Sequence, residues 1–539
     1  MYPRSALASL LALAILPACG SSEAGGRQAE AAARPRQGGS FQMVLEGPSC
    51  LEPACVDSVY DALPIGQIFD GLVALDAGLN VVPRLADTWT ISRDGRTYTI
   101  HLRNGVTFHD GSPLTADDVV FSIERLLDPR RARRSIACSY LEVIKGADAY
   151  SRGKAKRVAG VKALDPSRIE ISLDRPYLSF LEVLAMDDLR ISPRSVVTAR
   201  GERAFRRAPV GTGPFKLASW TAQELRLVAN EQYFAGRPHL DEVVIHFPAP
   251  GERDQGNARF LRGETQIVEP TSDSLPVLAK DPTVELHRYQ ELSLSFFGIQ
   301  TGAPPWDDER VRKAIAQAID RKALQQISAA TRREAQGILP PGLPGYSPSP
   351  KAPAYDPEAA KALLAKAGYP GGRGLPPLRF YTAQTQSSAV ARSNEKLRDD
   401  LAKVGVRLEI HEVPWSRLIE LIEDSAAPAF QLGWIADLPD PDAFLRTLFE
   451  PGGSANYFNF LDPDTAAALE RGASETNPIE RARIYRELEK SILEKAPLIP
   501  LFHSMGMIAS RREVHGLTPG PMGIASLDLE TVWLDPGAR

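Results

Sequence analysis

After Cys19 the sequence has no apolar run of transmembrane length. A helical span needs about 20 consecutive apolar residues, so the body of the chain is not a bundle of membrane helices. Neither sign of charge dominates: 63 Lys and Arg stand against 67 Asp and Glu, a net charge of −4. No basic tract offers a nucleic-acid surface, and no block of like charge forms an acidic tail. Cysteine is scarce, with 4 residues, and there is no C-x-x-C. The 8 histidines, among them His101, His109, His246 and His411, are scattered. His411-Glu412 is followed by Val413-Pro414-Trp415, which excludes a zinc-protease helix, and no G-x-S-x-G marks a hydrolase elbow. Pro209-Val210-Gly211-Thr212-Gly213-Pro214 fits neither phosphate-loop spacing and reads as a structural turn. No catalytic residue, cofactor or metal site is therefore assigned.

What is present begins with an export signal. Arg4 is a positive n-region, Leu7 to Leu16 an apolar core too short to span a bilayer, and Leu16-Pro17-Ala18-Cys19 resembles a lipobox. That reading makes 1–19 a lipoprotein signal peptide and Cys19 the lipidated first mature residue, anchored to a bacterial cell membrane. Residues 20–40, small and polar, read as a flexible tether with a reach of roughly 25 Å. The rest is long enough for two or three domains. An exported chain meets an oxidising environment, and Cys50 and Cys55, flanking Pro53, are candidates for a small-loop disulfide. Cys138 is left as a buried small apolar residue.

The densest stretch is Leu79 to Arg125. Thr97, Thr99 and His101 alternate with Tyr98, Ile100 and Leu102, a half-buried strand preceded by an Asp94-Gly95 turn. Thr115 is placed as the N-cap of a helix opening on Asp117 and Asp118. Further on, Asp307 is expected to cap a helix with Val311, Ile315, Ala318 and Ile319 on one apolar face. Asp356 caps another, with Pro357 at its first position and Gly368 beyond its end.

The order of residues through Leu79–Arg125 closely resembles the signature of the family 5 extracellular solute-binding proteins, the peptide- and nickel-type receptors of bacterial ABC importers. Val210-Gly211-Thr212-Gly213-Pro214-Phe215, Tyr233–Phe247, Leu292–Leu324 and Tyr355–Tyr369 resemble family segments in the same order, so the likeness covers nearly all of Phe41 to Leu534. It implies an α/β fold, two-lobed and periplasmic-binding-protein-like (type II, cluster C), with an additional domain and a hinge. By analogy domain I takes 41–73, 207–290 and 505–539, domain II takes 74–206, and domain III, the second lobe, takes 291–504.

The resemblance also implies a site. Phe430, Leu432 and Trp434 alternate with Gln431, Gly433 and Ile435 as a strand, followed by Asp437 and a Pro-rich turn. In peptide-binding members this phrase lines the cleft: Gly433, Trp434 and Ile435 would offer backbone groups to a peptide, and Asp437 a counter-charge to its α-ammonium. Asp437 read from local sequence alone is a turn-starting residue before Pro439. On the other lobe Leu51–Val59 resembles the family's L-D-P segment, which points to Asp57, Ser58 and Val59, with Glu52 replacing the usual aspartate.

The function implied is an extracytoplasmic, peptide-capturing, monomeric partner of an ABC permease. A nickel-type chelate receptor shares the fold. Tryptophans 306, 415 and 434 leave an oligosaccharide receptor open, and a non-transport sensor has the same sequence features.

Overall fold

The structure, a computed structural model, describes residues 34–56, 58–131, 136–248, 255–271, 273–349, 352–384, 388–453 and 455–535. Cys19 with the rest of the signal peptide, most of the tether, and Asp57 lie outside the described residues.

Residues 36–539 form one compact unit, built on three main sheets. The first holds Ser40–Val44, Glu242–His246, Glu224–Ala229 and Phe215–Trp220 in that spatial order. The second, an antiparallel sheet, holds Ala86–Ile91, Thr97–Leu102, Arg168–Ser172 and Val161–Asp165. Within it Tyr98, Ile100 and Leu102 are buried, while Thr97, Thr99 and His101 are half-buried, the period-two pattern read from sequence. Its covering helix, Ala116–Leu126, starts where Asp118 Oδ2 accepts from both the N–H and the hydroxyl of Thr115.

The third sheet is the largest and carries the connection between the two halves of the molecule. Its central strand, Leu498–Arg511, is 14 residues long. Its first part pairs with Ser293–Ile299 and its last part with Val284–Gln290, both antiparallel. These two partner strands are consecutive in sequence, so the chain passes between halves at 290–293 and returns within the long strand near 502–505. The ladder shifts register between Ser295 and Phe296, just before that crossing. Beyond Ser293–Ile299 lie Ala429–Ile435, Leu378–Ala383 and Leu408–Val413.

Two local readings are refined. The helix expected to be capped by Asp307 is Glu309–Ala318, and Asp308 is its cap, accepting from Arg310 N–H. Asp307 N–H is held one residue earlier, on the carbonyl of Ala303, so the turn is a residue longer than the pattern suggested. The Gly211–Gly213 turn packs against the end of helix Val59–Ile68: Gly213 N–H donates to Ile68 O, and a Cβ at Gly211 would lie 2.0 Å from that same oxygen. Glycine there is a requirement of close approach, not of phosphate binding.

Behind the Ala429–Ile435 strand sits a buried ion cluster. Arg481 donates to both oxygens of Asp440, at 2.7 and 2.8 Å, and to Gly472 O. Tyr485 donates to Asp442, and Asp440 also accepts from the hydroxyl of Ser179, which belongs to the other half. Burial opposes ionisation of Asp440, yet Arg481 holds its carboxyl below the usual range. Asp442, buried and facing the charge of Asp440, is pushed up instead. Arg481→Ala should cost about 3–5 kcal/mol in urea unfolding, because Asp440 is left charged and alone, and adding Asp440→Asn should recover part of the loss.

Candidate functional site

A cavity of about 430 Å³ opens between the halves, within the size range of small-molecule sites. One wall comes from helix Val59–Ile68, the other from the end of strand Ala429–Ile435. Ser58 and Val59 thus meet Ile435 and Asp437 across one space, although they are nearly 380 residues apart.

Each wall is set by local chemistry. Ser58 is the N-cap of its helix: its hydroxyl accepts from Asp61 N–H and donates to Asp61 Oδ2. Asp61 also accepts from Ser49 N–H at 2.7 Å, tying the helix start to the preceding segment. That segment is closed by a disulfide between Cys50 and Cys55, with Cα atoms 6.3 Å apart. Cys138 is a buried thiol that donates to Leu126 O. Glu52, inside the loop, is fully buried and bound by Arg125, Arg131 and Arg206. Among the described residues, the ligand-type atoms of Cys50, Glu52 and Cys55 lie within 4.8 Å of one another, but the disulfide and the three arginines occupy them.

On the opposite wall the backbone decides what is offered. Ala429–Ile435 runs antiparallel to Ser293–Ile299. Gln300 N–H donates to Pro428 O and Ala436 N–H to Leu292 O. Hydrogen-bonded pairs alternate along such a ladder, so Trp434 faces Leu294 and its peptide groups are used. Gly433 and Ile435 point their N–H and C=O the other way. There, pairing to Leu378–Ala383 extends only through Phe430. Gly433 and Ile435 therefore present an open strand edge, with nothing within 4 Å of a Cβ built on Gly433. Trp434 differs from its expected role: its indole N–H donates to Ala443 O at 2.7 Å, and it braces the strand from within. Trp306 is buried in the core and Trp415 is exposed elsewhere, so none of the three tryptophans lines the cavity.

Asp437 follows the open edge. The residue is half-buried, but Oδ2 is shielded from solvent and has no hydrogen-bond partner among the described residues. Desolvation pushes its carboxyl up to about 7. The turn after it is capped by a different residue, Asp440, whose Oδ1 accepts from Asp442 N–H. Asp437 is thus spared the turn-capping duty that local sequence suggested.

Several wall residues carry no signal in hydrophobic period or turn chemistry: Gln67, Arg84, Glu182, Arg190, Met522 and Asp528. Helix Phe180–Leu184 brings Glu182, and the C-terminal segment near Leu527 folds back over helix Val59–Ile68, where Gln67 Nε2 donates to Leu527 O. Only long-range packing places them.

The family model for bacterial extracellular solute-binding proteins, family 5, middle region, matches residues 80–456. The chain belongs to this family. Haemophilus influenzae heme-binding protein A is 30% identical over 545 aligned positions, covering 97% of this chain and 98% of the relative. Di/tripeptide-binding protein 2 of Pseudomonas aeruginosa is 30% identical, covering 99% and 100%. Among solved structures, the DppA periplasmic binding protein of Helicobacter pylori in complex with the peptide STSA superposes with a TM-score of 0.78 at 26% identity, over 93% of this chain and 99% of that one. The fold is accordingly the two-lobed one of family 5 receptors, with an additional domain and a hinge, and the cavity is its interlobe cleft.

The state of Asp437 gives a stability test. Its folded pKa lies above the ordinary 3.8, so the empty protein gains a proton on folding between about pH 4 and 7 and loses stability through that window as pH rises. Asp437→Asn cannot titrate. Its melting temperature should match wild type below about pH 4 and exceed it above pH 7, by scanning calorimetry without ligand. A turn-capping role would give a lower melting temperature at every pH.

Proposed function

We propose that this family 5 receptor holds a peptide in the cleft, its backbone paired with Gly433 and Ile435 and its α-ammonium on Asp437. The observation that carries this is the unpartnered, shielded Oδ2 at the end of an open strand edge. A carboxylate in that position is costly when empty and needs a cation, while strand-edge pairing grips a peptide without reading its side chains. Ser58 and Val59 form the facing wall, and Asp57, which precedes them in sequence, is proposed as a further contact. Relatives named for di- and tripeptides, and a solved relative carrying a tetrapeptide, support the same class of ligand.

The receptor works outside the cytoplasm as the peptide-binding component of an ABC importer. Lobe closure around the peptide gives the permease a shape to read. We assign 41–73, 207–290 and 505–539 to domain I, 74–206 to domain II and 291–504 to domain III. The passage of the chain between sheets at 290–293 and 502–505 supports the last two boundaries. The monomeric receptor is held to its membrane through acyl chains on Cys19.

Calorimetric titration with Ala-Ala and its N-acetylated form tests the site. The free amine should bind and the acetylated form should bind far more weakly. Asp437→Asn should weaken the free amine by about 2–5 kcal/mol, roughly 30- to several-thousand-fold, and leave the acetylated form nearly unchanged. Because the empty carboxyl titrates near 7, ammonium binding should release a proton below that pH, and affinity should fall up to about tenfold per unit of acidification. Equal affinity for the two forms overturns the assignment.

The anchor has its own test. Cys19→Ser should move the protein from the membrane to the soluble fraction of fractionated cells, and unchanged membrane association would defeat lipidation at Cys19.

A further inference from the structure

The charges around the cleft do not balance. Its wall holds two arginines, and both are occupied by the protein itself. Arg84 lies 3.2 Å from Asp528 and 2.8 Å from Glu530, and Arg190 lies 2.8 Å from Asp187. Asp188 is engaged as well. Two wall carboxylates remain without an ion-pair partner among the described residues: Asp437 on one lobe and Glu182 on the other.

Both line the same cavity, one from each half. Ser179 donates across the cleft to Asp440. Glu182 stands three residues after Ser179, on the short helix Phe180–Leu184, and Asp437 stands three residues before Asp440. This bond, with that between Tyr140 and Thr447, holds the segments carrying the two carboxylates against one cavity. Glu182 is half-buried, feels the charges of Asp440 and Arg481 without touching either, and its carboxyl is raised by burial. Its own backbone N–H is the donor that acts on the carboxyl, the helix end is capped by backbone bonds, and no Lys or Arg pairs with it among the described residues.

Resting on the peptide reading above, we infer that the cleft selects ligands carrying a second positive charge beside the α-ammonium, a peptide beginning with lysine or arginine, and that Glu182 reads that side chain. One α-ammonium satisfies Asp437 and leaves Glu182 facing a cavity with no free cation in its described wall. The side chain of the ligand's first residue departs from the very carbon that bears the ammonium, so its charge is the one held near both acids. A second-residue side chain leaves an extended backbone on the opposite face. Glu182 is thus a specificity-determining residue, and the preference it creates is for the side chain of position one.

Titration calorimetry with Lys-Ala, Ala-Lys and Ala-Ala at low ionic strength tests this. Wild type should bind Lys-Ala about tenfold or more tightly than Ala-Ala, with Ala-Lys close to Ala-Ala. Glu182→Gln should remove the advantage of Lys-Ala while leaving Ala-Ala within about threefold, and Glu182→Asp should restore part of it. Melting temperatures of both variants check that they are folded. Binding of Ala-Ala with no advantage for Lys-Ala, or an advantage that survives Glu182→Gln, overturns the role of Glu182 and leaves the peptide reading standing. Failure of all three peptides to bind removes the peptide reading and this inference with it.

Discussion

One strand's hydrogen bonding holds the receptor together as a two-part device. Leu498–Arg511 pairs along its first portion with Ser293–Ile299 and along its last with Val284–Gln290. Each lobe borrows part of the same strand, so each is completed by a segment that also belongs to the other. A strand resists stretching but twists and bends readily at an irregularity. The register shift between Ser295 and Phe296 places such an irregularity beside the crossing. The two lobes are thus joined where the ladder itself is irregular, the kind of place at which hinge motion is absorbed.

The same ladder fixes which peptide groups face the cleft. Because antiparallel pairing alternates, committing Trp434 to Leu294 commits Gly433 and Ile435 to the open side. The neighbouring strand Leu378–Ala383 stops pairing at Phe430, so the edge is left bare where the cavity begins. An exposed edge is ordinarily a hazard for aggregation. Here its far end, at Ile435, opens into the cavity.

Charge is treated in two opposite ways within a few residues. Asp440 is buried against Arg481 with both oxygens bonded, a closed arrangement that anchors the turn. Asp437, three positions earlier, is shielded yet left with Oδ2 unbonded. The first arrangement fixes geometry, and the second stores an unmet demand for a cation at the end of the strand edge.

Much of this was legible in the chain. The alternation of Thr97–Leu102, the caps at Thr115 and Asp356, and the strand at Phe430–Ile435 are local matters of period and turn chemistry, and the structure places them there. The order of family segments carried the two-lobed fold. Within that, Asp308 rather than Asp307 caps its helix, because Ala303 O holds the chain one residue longer in its turn. Which peptide groups of the Gly433–Ile435 stretch are free depends on pairing parity, and Glu182, Gln67 and Asp528 enter the wall only through packing between segments hundreds of residues apart. Sequence determines what each segment forms, since period and caps act over a few residues. Tertiary structure alone decides which carboxylates keep a cation partner and which are left waiting, because that balance is struck between elements no local pattern connects.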